Sequence, residues 1–514
     1  MASKILWVDD EIDLLKPLCI ILQNDGYEVS TASSAYDALE MLKDERFDVI
    51  LLDENMPGMS GLEAISKIKA LSPDVNIIMI TKSEEENIME QAIGSNIADY
   101  LVKPVRKIDL ISSLKKLNRN KLVKEATQRN YQREFTSLSM QMSDCLTFND
   151  WAQLYQSLVR WEIELEDNGE MNDILLSQKR DANEGFCKFI RNNYVSWLAQ
   201  QKGADVPLMS NRLMCDRVLP IIEGGQKVVL IVIDNFRLDL WETIRSLLAP
   251  DFNISTELYC GILPTSTQFA RNAIFSGLLP SDIIKYYPQY WSDSDDEGSQ
   301  NQYERELLDT FFDRYKKNGI KHAYYKVNHA ESGDNFIKKF PNYRQNDLNA
   351  VVFNFVDMLS HARTDVKVVG ELTQTDAAYR SITKSWFVHS ALYSLLKILK
   401  NENVTVVITT DHGTIKVDKP LAVVGDREVN TNLRFKLGKS LTYDPKKLFE
   451  VKNPDDIFLP RRNVSSSYIF AMNSDFFVYK NRFNEYAEKY ADTFQHGGVS
   501  MEEMIIPFAT LTAK

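Results

Sequence analysis

The sequence predicts an α/β protein of several domains, with a doubly wound parallel sheet at the N-terminus, a helical middle and a second α/β unit at the C-terminus. Three observations carry that expectation. From Lys4 to Pro104 short β-branched runs alternate with amphipathic segments, the pattern of a parallel sheet with crossover helices. From about Ile108 the apolar residues fall at helical spacing instead. Strand-like runs then return as VVLIVID at Val228–Asp234, VVFNFVD at Val351–Asp357 and VTVVITTD at Val404–Asp411, and unbroken apolar runs suit central strands covered on both faces. A chain of 514 residues exceeds what one hydrophobic core supports, and boundaries are expected at 1–120, 121–207 and 208–514.

Each element follows from local pattern. KILWVD opens the first strand, Ile12–Asp25 carries a helical face, and YEVSTA, FDVILLD, NIIMIT and DYLVKP supply further strands separated by helix-like segments. In the middle, Trp151, Leu154, Tyr155 and Leu158, then Phe186, Phe189, Ile190 and Trp197, recur at the spacing of a buried helix face. The first middle helix also bears Lys115, Lys116, Arg119, Lys121, Lys124 and Arg129, and a charge run of this kind marks a solvated face. The stretch Ser292–Asn301 (SDSDDEGSQN) has little to bury and is expected to form a mobile acidic loop.

Composition narrows the function classes. An apolar fraction of 44% with 26% charged residues is the balance of a soluble globular chain. The opening MASKILWVDD has no basic, apolar leader, and no apolar run of about 18 residues is present to span a bilayer. A cytoplasmic location is expected. Cys19, Cys145, Cys187, Cys215 and Cys260 are widely spaced without a CxxC pair, which argues against a disulfide framework or a cysteine-zinc cluster. A net charge of −12 offers nucleic-acid backbones no general attraction. No helix-turn-helix pattern follows the first unit, so direct promoter binding is not expected.

In the first unit, apolar runs end at Asp9-Asp10, at Asp53 and at Thr81, and DYLV leads to Lys103. The carboxyl ends of parallel strands converge on one crevice. Clustered carboxylates there are tolerable around a hard divalent cation, and Mg²⁺ fits, with Asp10, Asp53 and the Asn55 main-chain carbonyl as ligands. These residues in this order resemble the response-regulator receiver family. The resemblance implies that Asp53 accepts a phosphoryl group from a sensor histidine kinase. It implies further that Asp9 and Asp10 organise the Mg²⁺, that Lys103 contacts the acyl phosphate, and that Thr81 with Tyr100 forms the conformational switch.

The C-terminal part places carboxylates and imidazoles at strand ends. Asp357 follows VVFNFV with His361 one helical turn later, Asp411 and His412 follow VTVVITT, Asp234 ends VVLIVI, and His496 stands in QHGG. Such a set suits two Zn²⁺ or Mn²⁺ ions, with the imidazoles favouring zinc. His322, His329 and His389 lack comparable partners and read as structural. LPTSTQFARNAIFSG follows a strand-like Thr256–Gly261 and offers Thr265, Ser266 and Thr267 as hydroxyl nucleophiles at a helix start.

This constellation resembles the alkaline-phosphatase superfamily and, within it, the PglZ domain. The resemblance implies an α/β alkaline-phosphatase-like fold and a metal-dependent phosphodiesterase. Asp357, His361 and His496 would then bind one ion and Asp234, Asp411 and His412 the other. Thr267 would be the nucleophile, its hydroxyl deprotonated by the second metal, with Thr265 in reserve. Arg271 and Asn272 are the candidates to touch substrate. A threonine nucleophile leans toward diesters, and Lys416, Lys419, Arg427, Arg434, Lys436 and Lys439 are available for the further phosphates of a nucleotide or of a cyclic or linear oligonucleotide. No C/S-x-P-x-R sulfatase frame is present.

The order receiver, helical middle, PglZ-like domain resembles the PorX-type response regulators of Bacteroidota along the whole chain. That resemblance implies control of type IX protein secretion, a homodimer formed on phosphorylation, and two partners, an extracytoplasmic-function sigma factor and a membrane protein of the secretion motor. Two classes of function follow: a phosphorylation-governed hydrolase, or an adaptor that recruits those partners while its metals serve only structure.

Overall fold

A computed structural model describes residues 3–82, 97–166, 169–200, 203, 205–292, 301–359, 375–425, 430, 432–439 and 441–514, with the backbone alone over 118–122. The helical segment expected between NIIMIT and DYLVKP, most of the acidic stretch after Ser292, and His361 lie outside the described residues. The chain divides into two compact units, 1–130 and 131–514, the boundary falling inside helix α4 (Lys107–Asp144).

The first unit is a parallel sheet of β1 (Lys4–Val8), β2 (Glu28–Ala32), β3 (Val49–Asp53), β4 (Asn76–Thr81) and β5 (Asp99–Val102) in the order β2-β1-β3-β4-β5. Helices α1 (Lys16–Asn24), α2 (Ala35–Asp44) and α3 (Gly61–Leu71) connect the strands. The predicted Ile12–Asp25 helix is split, because a 3-10 turn at Ile12–Leu15 precedes α1, and Pro17 sits where a missing N–H costs a helix least. The two-residue strand period sorts side chains by face. Leu6, Val8, Ile50, Leu52, Ile77 and Met79 fill one core, and Ile5, Trp7, Val49, Leu51, Ile78 and Ile80 the other. A capping box between Ser60 and Glu63 starts α3. Gly61 opens that helix because a Cβ there would lie 2.3 Å from the Asp53 carbonyl oxygen.

The second unit joins helices α5 (Phe148–Glu164), α6 (Gly169–Gln200), α7 (Leu238–Leu248) and α9 (Glu304–Arg314) to a six-stranded sheet. Its strands are β6 (Lys227–Ile233), β7 (Phe252–Cys260), β8 (His322–Val327), β9 (Leu348–Phe353), β10 (Val404–Thr409) and β11 (Ile505–Ala513), in the order β7-β11-β10-β6-β9-β8. All pairings are parallel except those made by β11. The helical middle has no separate core. Trp151, Tyr155, Phe186 and Trp197 belong to one apolar cluster with Val229, Ile231, Val351 and Val406 of the sheet, whose other face packs Val228, Leu230, Ala350 and Val407. Two strand ends fall short of the apolar runs that predict them. β9 stops at Phe353, and Phe355 to Leu359 turn helical, so Asp357 stands on that turn and not at a strand end. Likewise β10 ends at Thr409, two residues before Asp411.

Candidate functional site

In the first unit, ligand atoms of Asp9, Asp10 and Asp53 lie within 4.8 Å of one another, Asp10 exposed and the other two buried. The Lys103 ammonium reaches Asp9 Oδ2 and Asp53 Oδ1, each at 2.9 Å. Burial pushes the Asp53 carboxyl up, with Asp9 and Asp10 adding to the effect against the opposing pull of Lys103. Burial alone would lower Lys103, but its hydrogen bonds and ion pairs with Asp9 and Asp53 outweigh it and raise the ammonium. Three acids against one cation leave surplus negative charge, the condition a divalent cation relieves. Thr81 is buried and donates its hydroxyl to Glu54 Oε2, Tyr100 is half-exposed, and Asn55 is exposed beside the acids.

In the second unit, β6, β7, β9 and β10 present their carboxyl ends at one sheet edge. Asp234 leaves β6 and Asp411-His412 leave the end of β10, and their ligand atoms come within 4.8 Å of one another. Asn235, in the left-handed region at φ 58°, turns the chain so that its N–H donates to Asp411 Oδ1 and its carboxamide to Asp357 Oδ1, both at 3.3 Å. Asparagine tolerates that conformation better than most residues. His496 stacks on His412 with ring centroids 4.3 Å apart. Each imidazole faces a carbonyl through Nδ1, His412 on Gly413 at 3.0 Å and His496 on Thr265 at 3.1 Å. A carbonyl only accepts, so Nδ1 carries the proton and Nε2 presents its lone pair, the tautomer of a metal ligand.

Thr267 is the first residue of α8 (Thr267–Ser276). Its Oγ1 lies 3.1 Å from His412 Nε2 and 3.3 Å from Asp234 Oδ1. Thr265 is fully buried instead, donating to the Gly498 carbonyl at 2.9 Å and accepting from the Gly497 N–H at 3.0 Å. The two hydroxyls that sequence leaves as alternatives therefore differ in setting. One faces the carboxylate-imidazole cluster, and the other ties the His496 loop to the α8 loop.

The electrostatics of the pair Asp234 and Asp411 follow from their surroundings. Burial would raise Asp234, but Arg271 and His412 outweigh it and hold that carboxylate low. Burial and the Asp234 charge push Asp411 well up, and Asp411 Oδ2 is buried without a hydrogen-bond partner. Burial also lowers His412, keeping the imidazole neutral. A buried carboxylate oxygen without a donor, beside a second carboxylate and a neutral imidazole, fits a divalent cation.

A supporting layer, mostly invisible to sequence reasoning, holds these groups. Arg271 was a candidate to touch substrate, yet it is 2% exposed and committed to Asp234 Oδ2 at 2.8 Å, Glu304 Oε1 at 2.5 Å and Asn354 Oδ1 at 3.2 Å. Its Nε and Nη1 hydrogens go to these protein acceptors, which holds Asp234 in place. Asn272 is 1% exposed and accepts from Asn301, so it too faces protein. Arg434 and Lys436, expected to meet further phosphates, are buried, Arg434 on Glu503 at 2.6 Å and Lys436 on the Asn430 carbonyl at 2.9 Å. Arg427 lies outside the described residues.

The short helix α11 (Met501–Met504) joins this layer to the helical middle. Glu503 accepts from the Gly498 N–H at 2.8 Å and from Arg434, gripping the His496 loop. A Cβ at Gly413 would lie 2.0 Å from the Glu502 carbonyl oxygen, so only glycine lets the Asp411-His412 loop sit on α11. From α6, Asn183 donates to Glu502 Oε2 and accepts from the Met501 N–H, both at 2.8 Å, and Lys179 reaches Glu502 Oε1 at 3.1 Å. Lys179 also pairs with Glu162, which Arg380 of the helix α10 (Asp376–His389) meets at 2.8 Å. Glu304, Glu503 and Asn183 carried no signal in the sequence, because each sits in an amphipathic or turn segment far along the chain from its partner. Only Asn235 carries a local signal, by its place directly after Asp234.

Residues 5–115 match the response regulator receiver domain, 121–198 the PorX response regulator linker domain, and 213–511 the BREX system PglZ alkaline phosphatase-like domain. The transcriptional regulatory protein ZraR of Escherichia coli K12 is 34% identical over 112 residues, 22% of this chain and 25% of that protein. The phosphate regulon regulator PhoB of Pseudomonas aeruginosa is 35% identical over 117 residues, 22% of this chain and 51% of that protein. The chain thus spans a quarter to about half the length of these curated relatives. The solved chemotaxis protein CheY4 of Vibrio cholerae is 31% identical and covers 23% of this chain and 99% of its own, at a TM-score of 0.22. Among the described residues, no helix is long and apolar enough to cross a membrane. With the PglZ match covering more than half of its length behind a receiver and a PorX linker, the chain belongs to the PorX-type response regulators, two-component proteins that carry a PglZ alkaline phosphatase-like domain.

Proposed function

We propose that the chain is a phosphorylation-governed, zinc-dependent phosphodiesterase that acts on cyclic or linear oligonucleotides and regulates type IX protein secretion from the cytoplasm. Its working parts would be a receiver over 1–120, a linker over 121–207 and a hydrolase over 208–514. The observation that carries the reading is the Thr267 hydroxyl within 3.1 Å of His412 Nε2 and 3.3 Å of Asp234 Oδ1, inside a buried carboxylate-imidazole cluster. Asp234, Asp411 and His412 with Thr267 would hold one ion, and Asp357, His361 and His496 the other. Bound there, divalent ions supply Lewis-acid charge to the phosphoryl oxygens and to the threonine hydroxyl.

The chain's own residues do the rest. Thr267 Oγ1 gives up its proton and attacks phosphorus, the ester P–O bond breaks, and the alcohol departs with a proton. Water then cleaves the phosphothreonine and restores the hydroxyl. Arg271, through Asp234, fixes the charge of the cluster.

In the receiver, Asp53 would take the phosphoryl group from a sensor histidine kinase, with Asp9, Asp10 and the Asn55 carbonyl around Mg²⁺ and Lys103 on the acyl phosphate. Thr81 and Tyr100 would respond, favouring a homodimer. The linker match is to PorX response regulators, and the resemblance to that family implies the secretion role, with an extracytoplasmic-function sigma factor and a secretion-motor membrane protein as partners.

Metal content by plasma mass spectrometry, with hydrolysis of bis(p-nitrophenyl) phosphate beside p-nitrophenyl phosphate, tests the reading. Two zinc ions per chain are expected. Diester turnover should fall by about three orders of magnitude or more in Thr267→Ala, with metal retained. Metal without turnover would favour the adaptor, and absence of metal would remove the ligand assignment.

A further inference from the structure

A cavity of about 650 Å³ in the second unit shares no lining residue with the Asp234, Asp411 and His412 cluster; in it α5, α6 and α10 face the segments around Lys416–Lys419 and Asn473–Asp475. Ten acidic and six basic side chains line it, a surplus of negative charge in a chain of net charge −12. Its helical wall is neutralised by protein. Lys179 stands between Glu162 at 2.8 Å and Glu502 at 3.1 Å, Arg237 meets Asp376 at 2.8 Å, and Arg380 meets Glu162 at 2.8 Å and Glu166 at 3.2 Å. Ligand atoms of Glu162, Asp239 and Asp376 come within 4.8 Å of one another, but these cations already supply their counter-charge. Toward the opposite wall Arg180 pairs with Asp418 at 3.3 Å and Lys416 with Asp492 at 3.0 Å.

Asp475 breaks this pattern. It is 7% exposed and lines the cavity, yet among the described residues no donor or cation reaches its carboxylate within hydrogen-bond or ion-pair distance. Burial pushes the carboxyl up to about 6 against the pull of Lys419, its cross-strand partner, and of Arg434. Arg434 also donates to the Asp475 carbonyl, which anchors the residue at the wall. A buried carboxylate without a counter-charge is costly, and a cation from outside removes that cost. On α6, Asp173 and Asp181 line the same cavity, exposed and likewise without an ion-pair partner.

The spacing of these acids selects the kind of cation. Among the described residues Asp475 joins no set of three ligand atoms within 4.8 Å, whereas a hard metal ion needs several oxygens around one point. Carboxylates set singly in a wall that also holds Leu176, Ala377 and Ile415 suit a cation whose ammonium groups are separated by methylenes. Each ammonium then meets one carboxylate, and the chain between them lies on apolar side chains. We propose that this cavity binds a linear polyamine, with one ammonium on Asp475 and another at the α6 acids Asp173 and Asp181. The site is independent of the chemistry at Thr267 and stands whether or not that hydroxyl turns over a diester.

Isothermal titration of the full-length protein with spermidine tests the site, in about 0.15 M salt, where charges more than about 8 Å apart are largely screened. Saturable binding of one spermidine per chain is expected, with the shorter putrescine weaker. Asp475→Asn should weaken spermidine by about 10- to 150-fold, the range that loss of one charge-assisted hydrogen bond produces. Asp181→Asn, at an exposed position, should weaken it by only about 2- to 5-fold, and Asp25→Asn on the receiver should leave it unchanged. Absence of binding at millimolar spermidine, or binding indifferent to Asp475, would overturn the site. Spermidine lost when MgCl₂ replaces NaCl at equal ionic strength would show a diffuse counter-ion effect and overturn it as well. Tetralysine that binds more tightly than spermidine with the same dependence on Asp475 would overturn the polyamine and give the cavity to a basic peptide.

Discussion

In the receiver crevice Asp10 is open to solvent and one partly exposed lysine, Lys103, balances Asp9 and Asp53. In the C-terminal cluster Asp411 and His412 are fully buried, and the charges behind them are buried too, Arg271 with Glu304 on one side and Arg434 with Glu503 on the other. Both sites lie at the carboxyl edge of a parallel sheet and both collect carboxylates. The difference is what neutralises them. An open site can be neutralised from the solvent beside a single lysine, whereas a desolvated site requires permanent counter-charges, each with its own partners. A site meant to be charged and discharged by another protein gains from the first arrangement; one that does chemistry away from water gains from the second.

Substitutions that neutralise each site should expose this contrast. Asp53→Asn should abolish labelling by a kinase or by acetyl phosphate, read on a phosphate-affinity gel, while removing a carboxylate whose ionisation burial already opposes, so its fold should not weaken. Arg271→Gln leaves Asp234 and Glu304 buried without their guanidinium and should cost the second unit about 3–5 kcal/mol in denaturant unfolding. Equal tolerance of the two changes would break the comparison.

A finer test concerns the helical middle. Asn183→Ala removes both partners it offers α11 and should destabilise by about 1–3 kcal/mol, with a fall in kcat larger than any change in KM because the Asp411-His412 loop rests on α11. Unchanged kcat in a folded variant would detach the helices from the site.

The smallest effect is one of pH. Burial pushes Asp475 up to about 6 from its usual 3.8, a folded value above the unfolded one. Its contribution is therefore fully present below the unfolded value and lost as pH rises through about 6. Asp475→Asn should stabilise the chain by about 1–2 kcal/mol at pH 8 after discounting for partial solvation, and by little at pH 4. A difference that does not grow with pH would show that Asp475 is ordinary.

How much could be read in advance differs between the regions for the same reason. The receiver residues were legible because Asp9, Asp53, Thr81 and Lys103 each end or directly follow a strand, so pattern and strand order bring them together. Asp234 was legible likewise, and Asp411 and His412 nearly so, two and three residues past the end of β10. Asp357 was less so, since β9 ends early at Phe353 and a helical turn carries it. The supporting layer was not legible at all. Nothing along the chain announces that Asn183 meets Glu502 across 319 positions, or that Arg271 is held between Asp234 and Glu304.

By itself the sequence determined the α/β architecture, the strands that bear the acidic and imidazole groups, and the hydroxyls available beside them, because those follow from periodicity and residue type over short spans. Tertiary structure alone decided which hydroxyl faces the cluster, which arginine is consumed by protein, and that the helical middle shares a core with the C-terminal sheet. Those outcomes depend on burial and on contacts between distant segments, where desolvation decides whether a charge serves the fold or remains for a ligand.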